Sequence, residues 1–280
     1  MEKDYRFANV TLPHPNSLLV IEPLDYSNPY DFQRPHRHDY FEIICVEGGQ
    51  GTQYIDFKKF DLAGGQVYNI YPGQVHLMHR GSAYGVLIQF RKDLFEFIKP
   101  ITHDQLYFNN PAFTPDQSTF NRLYDIAGQI KDLLLQEELT TISKYKAYSY
   151  LQIVLLTLVE MKDKDSLTIN NSQLVSLLLS LLSENIYSCR KVADYCELMN
   201  CSQDKLNTAC KNALGKTVLE LIHEELLLEI RRLFLLSPLS LKEIAYELNF
   251  DSPANFSAFI KSHTGLTPTE LQASILEIYK

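Results

Sequence analysis

The 280-residue chain has no apolar run of about 18 residues, so no segment reads as a membrane-crossing helix. It has no excess of basic charge either: the formal net charge is −8, which excludes a generally basic nucleic-acid coat. Any nucleic-acid binding must then come from a local surface. The N-terminus, Met1-Glu2-Lys3-Asp4-Tyr5-Arg6, lacks the apolar stretch of a secretory signal. Five cysteines (Cys45, Cys189, Cys196, Cys201, Cys210) form no C-x-x-C pair. Their odd number in a large chain suits reduced thiols in a cytoplasmic protein, and small buried hydrophobes are the plain reading of all five. Eleven glycines and twelve prolines rule out collagen-like or low-complexity character. No nucleophile triad and no phosphate-binding glycine loop is present. What remains is a globular composition, 45% hydrophobic and 21% charged, long enough for two ordinary domains.

The N-terminal part reads as β. Leu18–Ile21, Phe41–Val46, Thr52–Ile55, Val67–Ile70 and Val86–Phe90 are strand-like, separated by Gly48-Gly49-Gln50-Gly51, Gly64-Gly65 and Pro72-Gly73. Short strands at this spacing predict an antiparallel sandwich or barrel. Beyond about residue 115 the period becomes helical. Phe120, Leu123, Ile126, Ala127, Ile130, Leu133 and Leu134 mark one helix; Tyr148, Leu151, Leu155, Leu158 and Val159 mark a second. The second also carries Ile153, Val154 and Leu156, so it must be covered on more than one side, by a second copy of the chain or by its own β domain. The charged stretch Met161–Ser166 and Asn170-Asn171-Ser172 place a boundary near 163–171. The expected domains are 1–98, with its N-terminal arm, for effector binding; 99–171 as a helical linker and dimerisation region; and 172–280, all helical, for DNA binding.

The C-terminal region repeats itself at an offset of fifty. Ser202–Leu221 and Ser252–Leu271 share six of twenty positions: Ser202/Ser252, Lys211/Lys261, Gly215/Gly265, Thr217/Thr267, Glu220/Glu270 and Leu221/Leu271. Leu206/Phe256 and Cys210/Ile260 match in apolar character. The serines read as helix N-caps, with Pro253 at a first helical position. Gly215 and Gly265 read as left-handed C-caps. A shorter helix precedes each copy, followed by Asn200 or Asn249, residues that tolerate the positive φ of a tight turn. Helix, tight turn, helix is the DNA-reading helix-turn-helix.

On these residues the chain resembles the AraC/XylS family of bacterial transcription regulators. The clearest string is Leu239-Ser240-Leu241-Lys242-Glu243-Ile244-Ala245, then Phe250-Asp251-Ser252-Pro253, Phe256-Ser257, Lys261 and Gly265-Leu266-Thr267-Pro268. The resemblance implies a seven-helix domain in which a long helix, about Thr217–Leu236, joins two recognition helices that enter successive major grooves. It departs from the family at Thr208 and Ala258, where arginine is common, and at Cys210, Asn249 and Leu226. From 173 to 280 ten Lys and Arg stand against thirteen Asp and Glu, a balance of −3, so weak DNA binding by the isolated domain is expected. The expected DNA-contacting residues are Ser202, Gln203, Lys205, Asn207, Thr208 and Lys211 from the first helix, and Ser252, Ala254, Asn255, Ser257, Ala258 and Lys261 from the second. Asn and Gln can pair with adenine, and Lys with guanine or phosphate.

His36-Arg37-His38-Asp39-Tyr40-Phe41-Glu42 reads H-x-H-x-x-x-E, and Pro72-Gly73-Gln74-Val75-His76 follows. Both halves resemble the cupin signature and imply a cupin-like double-stranded β-helix over about 15–98, giving an α+β chain. In metal-binding cupins the matching positions, His36, His38, Glu42 and His76, hold a divalent cation. Regulators of this type often keep such residues without a bound metal, with His38 and Glu42 as hydrogen-bonded core or rim residues of the barrel mouth, and no metal or other cofactor is expected. His36, His38, Glu42, Tyr54, Tyr71 and His76 are the expected effector-binding residues, with Tyr26, Tyr30, Phe32 and Tyr68 as further aromatic candidates for the pocket. The reading is a cytoplasmic regulator, not an enzyme and not membrane-bound. Its expected partners are promoter DNA, a small-molecule effector such as a sugar, a second copy of itself, and RNA polymerase as a possible contact. The rival readings are a metal-dependent cupin enzyme with a helical appendage, and a protein-interaction module that has lost DNA binding.

Overall fold

The computed structural model describes residues 9–12, 17–26, 34–107, 110–136, 138–165 and 169–279. The chain divides into two compact units, Asn9–Leu167 and Thr168–Lys280.

The first unit contains β1 (Asn9–Val10), β2 (Leu19–Pro23), β3 (Arg37–His38), β4 (Phe41–Gly48), β5 (Gly51–Ile55), β6 (Lys58–Leu62), β7 (Gln66–Ile70), β8 (His76–His79), β9 (Tyr84–Phe90) and β10 (Ala112–Phe113), then α1 (Gln117–Leu134) and α2 (Thr141–Asp165). One antiparallel sheet runs β10-β7-β4-β9-β2 and a smaller one runs β6-β5-β8, as expected for a cupin-like sandwich. Side chains alternate across a strand with period two. In β4, Phe41, Ile43 and Cys45 therefore face one way, where they meet Phe90 of β9 and Phe120, Leu123, Ile126 and Ile130 of α1. Ile44 and Val46 face the other way, into the sandwich, against Ile55, Leu62 and Leu87. Glu42 shares that inner face, which decides where the polar site forms.

Helix α2 buries Leu151, Val154, Leu155 and Leu158 in the same core as α1 and the larger sheet. Packing on its own β domain is thus one cover for this helix. A second stripe is left over: Ile142, Tyr145, Ile153 and Leu156 are exposed.

The second unit is α3 (Ile169–Asn185), α4 (Val192–Leu198), α5 (Gln203–Leu214), α6 (Val218–Leu236), α7 (Leu241–Glu247), α8 (Pro253–Thr264) and α9 (Pro268–Ile278). The sequence signals hold at each end. Ser202 Oγ accepts from Lys205 N–H, and Ser252 Oγ from Asn255 N–H. Gly215 (φ +70°) and Gly265 (φ +75°) close α5 and α8 in the left-handed region, where a Cβ is strained. Thr217 with Glu220 and Thr267 with Glu270 form reciprocal caps that start α6 and α9. The capping hydrogen bonds hold both glutamates below the usual carboxylate range. The long helix α6 buries Leu221, Ile222, Leu226, Ile230, Leu233 and Phe234. A joining helix that buries residues on several faces is packed by both motifs at once.

Asn249 does two jobs. Its φ is +54°, and its Nδ2 donates to Tyr187 O at 2.6 Å, tying the second turn to the end of α3. Asn249→Ala should cost about 2 kcal/mol, roughly 1 for a Cβ without a polar group in the left-handed region and roughly 1 for the lost hydrogen bond. Asn249→Gly, which keeps the backbone conformation, should cost less. Urea denaturation of the two variants checks the order; equal losses would mean that the bond alone matters.

Candidate functional site

Two constellations carry chemistry. The first lies between the sheets. His36, His38, Glu42 and His76 are all buried. His36 and His76 exchange backbone hydrogen bonds, N–H to O, at 3.0 and 2.8 Å, which brings their rings to 4.3 Å. The His38 ring stands edge-on to His76 at 5.0 Å and stacks on Tyr40 at 3.9 Å. Its Nδ1–H donates to Tyr40 O at 2.7 Å, so Nε2 carries the lone pair. Gln89 Nε2 donates to Glu42 Oε2 at 2.7 Å, and Gln53 Nε2 donates to His76 Nδ1 at 3.2 Å. Glu42 Oε1 is 3.9 Å from His76 Nδ1.

Burial sets the charges here. It pushes the Glu42 carboxyl up to about 7, against the opposing hydrogen bond from Gln89. It pulls His38 down to about 3, helped by His36, and holds His76 well below the ordinary imidazole value, helped by His36 and His38. Near neutral pH the imidazoles His38 and His76 are uncharged, and Glu42 is close to its midpoint. Among the described residues, His38 Nε2, His76 Nε2, Gln53 Oε1 and Gln89 Oε1 are buried without a hydrogen-bond partner. Each such atom costs free energy until something meets it.

Of the six expected effector residues, these four histidine and glutamate positions come together and two do not join them. Tyr71 packs on the helix side of the larger sheet, edge-on to Phe41 at 5.0 Å, with its hydroxyl 3.1 Å from His103 Nδ1. Tyr54 lies between Gln53 and Ile55 on β5, and the period of two turns it to the opposite face from them; its ring meets His79 at 6.0 Å. Tyr68 is in the sandwich core with its hydroxyl on Gln66 Oε1 at 2.8 Å. Tyr26 packs at the edge of that core. Tyr30 and Phe32 lie outside the described residues. Gln53 and Gln89 were missed. The signal for Gln89 was visible, since it is the one polar side chain in Val86-Leu87-Ile88-Gln89-Phe90.

The donor set suits a divalent cation in kind: neutral imidazole and carboxylate fit Fe, Mn, Ni or Zn. One ligand atom each from His38, Glu42 and His76 lie within 4.8 Å of one another.

The second constellation is the pair of recognition helices. In α5, Gln203, Lys205, Thr208 and Lys211 are exposed, while Leu206, Ala209 and Cys210 are buried. In α8, Ala254, Asn255, Ala258 and Lys261 are exposed above buried Phe256 and Ile260. Four expected contacts have internal work. Asn207 is half-buried, and its Oδ1 accepts from Val218 N–H at 3.0 Å, joining α5 to the start of α6. Ser257 Oγ donates back to Pro253 O at 2.9 Å. Ser202 and Ser252 accept as caps, which leaves each hydroxyl proton to donate. The exposed faces are polar without being strongly cationic: each offers lysine at its C-terminal end, and the first adds Lys205.

Comparison with known proteins finds a match in each part of the chain. A family model described as an AraC-like ligand binding domain matches residues 18–142, and one described as a helix-turn-helix domain matches 195–274. The chain is similar to the HTH-type transcriptional activator RhaR of Mannheimia succiniciproducens, 21% identical and covering 93% of this chain and 94% of that one. It is similar also to the HTH-type transcriptional activator RhaS of Escherichia coli O1:K1, 24% identical with 93% and 94% covered. Among solved structures, unsaturated fatty acid-bound ToxT of Vibrio cholerae is 16% identical over 91% of this chain and 94% of that one, at a TM-score of 0.39.

Proposed function

Because the chain belongs to the AraC/XylS family of transcription regulators, we propose that α5 and α8 read promoter DNA and that a small polar effector occupies the site around His36, His38, Glu42 and His76. The observation that carries the DNA reading is the duplicated turn. Asn200 (φ +47°) and Asn249 (φ +54°) close two helix-turn-helix motifs of one design, each presenting an exposed polar helix. Gln203, Asn255 and the lysines are the reading and phosphate-holding residues; Asn207 is a positioning residue that seats α5 on α6. In this reading the protein is not an enzyme and works in the cytoplasm. The buried unpartnered atoms of Gln53, Gln89, His38 and His76 support an effector whose groups both donate and accept, and a sugar is the class that we favour.

We also propose that the chain works as a homodimer, with the exposed stripe Ile142, Tyr145, Ile153 and Leu156 on α2 as the contact. The acidic balance of the DNA-binding region supports this: two copies double the number of phosphate contacts. Sedimentation should show a dimer, and Leu156→Glu should make it a monomer. RNA polymerase is the proposed partner at the promoter.

Selection of bound duplexes from random sequence, followed by salt titration of the winner, tests the reading. Lys211→Ala should lower the slope of log affinity against log salt by about 1 and weaken all sequences alike, whereas Asn255→Ala should relax the preference at one base pair by about 1–3 kcal/mol. Binding that does not respond to salt would remove the DNA reading and leave a protein-interaction module. Elemental analysis of purified protein separates the effector reading from a metal-dependent enzyme: one bound metal per chain, lost in a His38→Ala variant, would favour the enzyme.

A further inference from the structure

The two helix-turn-helix turns are built on the same backbone hydrogen bonds. In the first, Cys201 N–H donates to Cys196 O at 3.0 Å and Asn200 N–H to Glu197 O at 3.1 Å. In the second, Phe250 N–H donates to Ala245 O and Asn249 N–H to Tyr246 O, both at 2.9 Å. This closure folds the residue after the left-handed position back onto the helix it has just left, so that their side chains meet. The second turn places Ala245 and Phe250 there. Phe250 continues into the core against Phe256 at 5.1 Å, and the Arg190 guanidinium sits over its ring at 4.1 Å.

In the first turn the same two positions are both cysteines. The same backbone closure brings their side chains together, and both residues are half-buried, accessible in part from solvent. A third cysteine, Cys210, faces the core from α5. If these positions served only to pack, the second turn shows what suits them: one small residue and one large apolar one.

We propose that Cys196 and Cys201 form a modification site, a dithiol that a peroxide oxidises to a disulfide across the turn of the first helix-turn-helix motif. The Cys201 sulfur attacks one oxygen of hydrogen peroxide, giving the sulfenic acid Cys201–SOH and one water. The Cys196 sulfur then attacks the Cys201 sulfur, the S–S bond forms, and hydroxide leaves with the Cys196 proton as a second water. Two thiols are oxidised by two electrons, and one peroxide is reduced to two waters. Cys201 lies in the turn beyond α4, whereas Cys196 lies on the helix, where burial raises its thiol, so Cys201 takes the first step. The Cys201 N–H to Cys196 O hydrogen bond keeps the two backbones close, which a disulfide needs. The staple would join the end of α4 to the residue before the Ser202 cap of α5, and the second motif has no equivalent.

Trypsin cleavage after Lys191 and Lys205 releases Val192–Lys205 with both cysteines and no others. Full-length reduced protein is treated with hydrogen peroxide, alkylated, digested and weighed. The expected fragment is about 2 Da lighter than the reduced one, carries no alkyl group, and returns to the doubly alkylated form after dithiothreitol. Cys196→Ala, which copies Ala245 of the second turn, should leave Cys201 as a sulfenic acid that dimedone traps. Cys201→Ser should leave Cys196 fully alkylated, and it serves if the first variant does not fold. Full alkylation of both thiols after peroxide would overturn the proposal, and so would a cross-link of Cys201 to the fragment bearing Cys210.

Discussion

In chelator-treated, effector-free protein, Glu42→Gln should raise stability at pH 7 by about 3 kcal/mol and leave it almost unchanged at pH 4.5. The carboxyl titrates at about 7 when folded, against 4.5 in an unfolded chain. An acid with a raised folded value binds its proton more tightly when folded. The stability that it confers is full below pH 4.5 and drains away as pH rises toward 7, because the folded state must either hold a buried charge or keep a proton that the solution no longer supplies. Glutamine removes that loss and can still accept from Gln89. The histidines act on the other side. His38 titrates near 3 when folded against 6.5 unfolded, so stability falls as pH drops from 6.5 toward 3, in the variant as in the parent. Urea denaturation at pH 4.5 and pH 7 in both proteins measures the difference. A variant less stable than the parent at pH 7 would mean that Glu42 is ionised and held by a positive partner, as a bound cation would do.

Arg232→Leu should cost the C-terminal unit about 3–5 kcal/mol. Arg232 is buried on α6, with Nη1 at 3.2 Å from Glu229 Oε2 and 3.6 Å from Glu225 Oε1. Tyr187 donates its hydroxyl to the other oxygen of Glu229. Removing the guanidinium takes away a cation that lies against two buried carboxylates, on the helix that carries both motifs. Replacing Glu225 and Glu229 with glutamine in the same chain should recover much of the loss, because breaking a buried pair costs more than deleting it whole. Calorimetric melting of the three proteins, with binding to the selected duplex as the second readout, checks both steps. A single variant that melts with the parent would show that the cluster contributes nothing to holding the two motifs.

The helix-turn-helix unit was legible because its information is local. Caps, left-handed glycines and the asparagine turns are set by residues three or four apart, and an internal repeat at fifty residues shows the same choices made twice. The β strands were legible where they are buried on at least one face. Two were not. Lys58–Leu62 carries Lys58, Lys59 and Asp61 on an exposed edge, and His76–His79 reads as a polar motif; each forms a strand because β5 offers hydrogen-bonding partners on both sides.

The sequence alone determined which residues could meet in the first unit only as far as types: three histidines and a glutamate in a recognisable spacing, and a set of tyrosines. The tertiary structure decided the company they keep. Strand alternation turned Glu42 inward beside Gln53 and Gln89 and sent Tyr71 and Tyr54 to other faces, because a period of two assigns a face only once the sheet's neighbours are known. In the second unit the caps and turns followed from local chemistry, but the inward use of Asn207, the Arg232 cluster and the meeting of Cys196 with Cys201 did not. Those depend on helix crossings and on a backbone closure that no single stretch of chain contains.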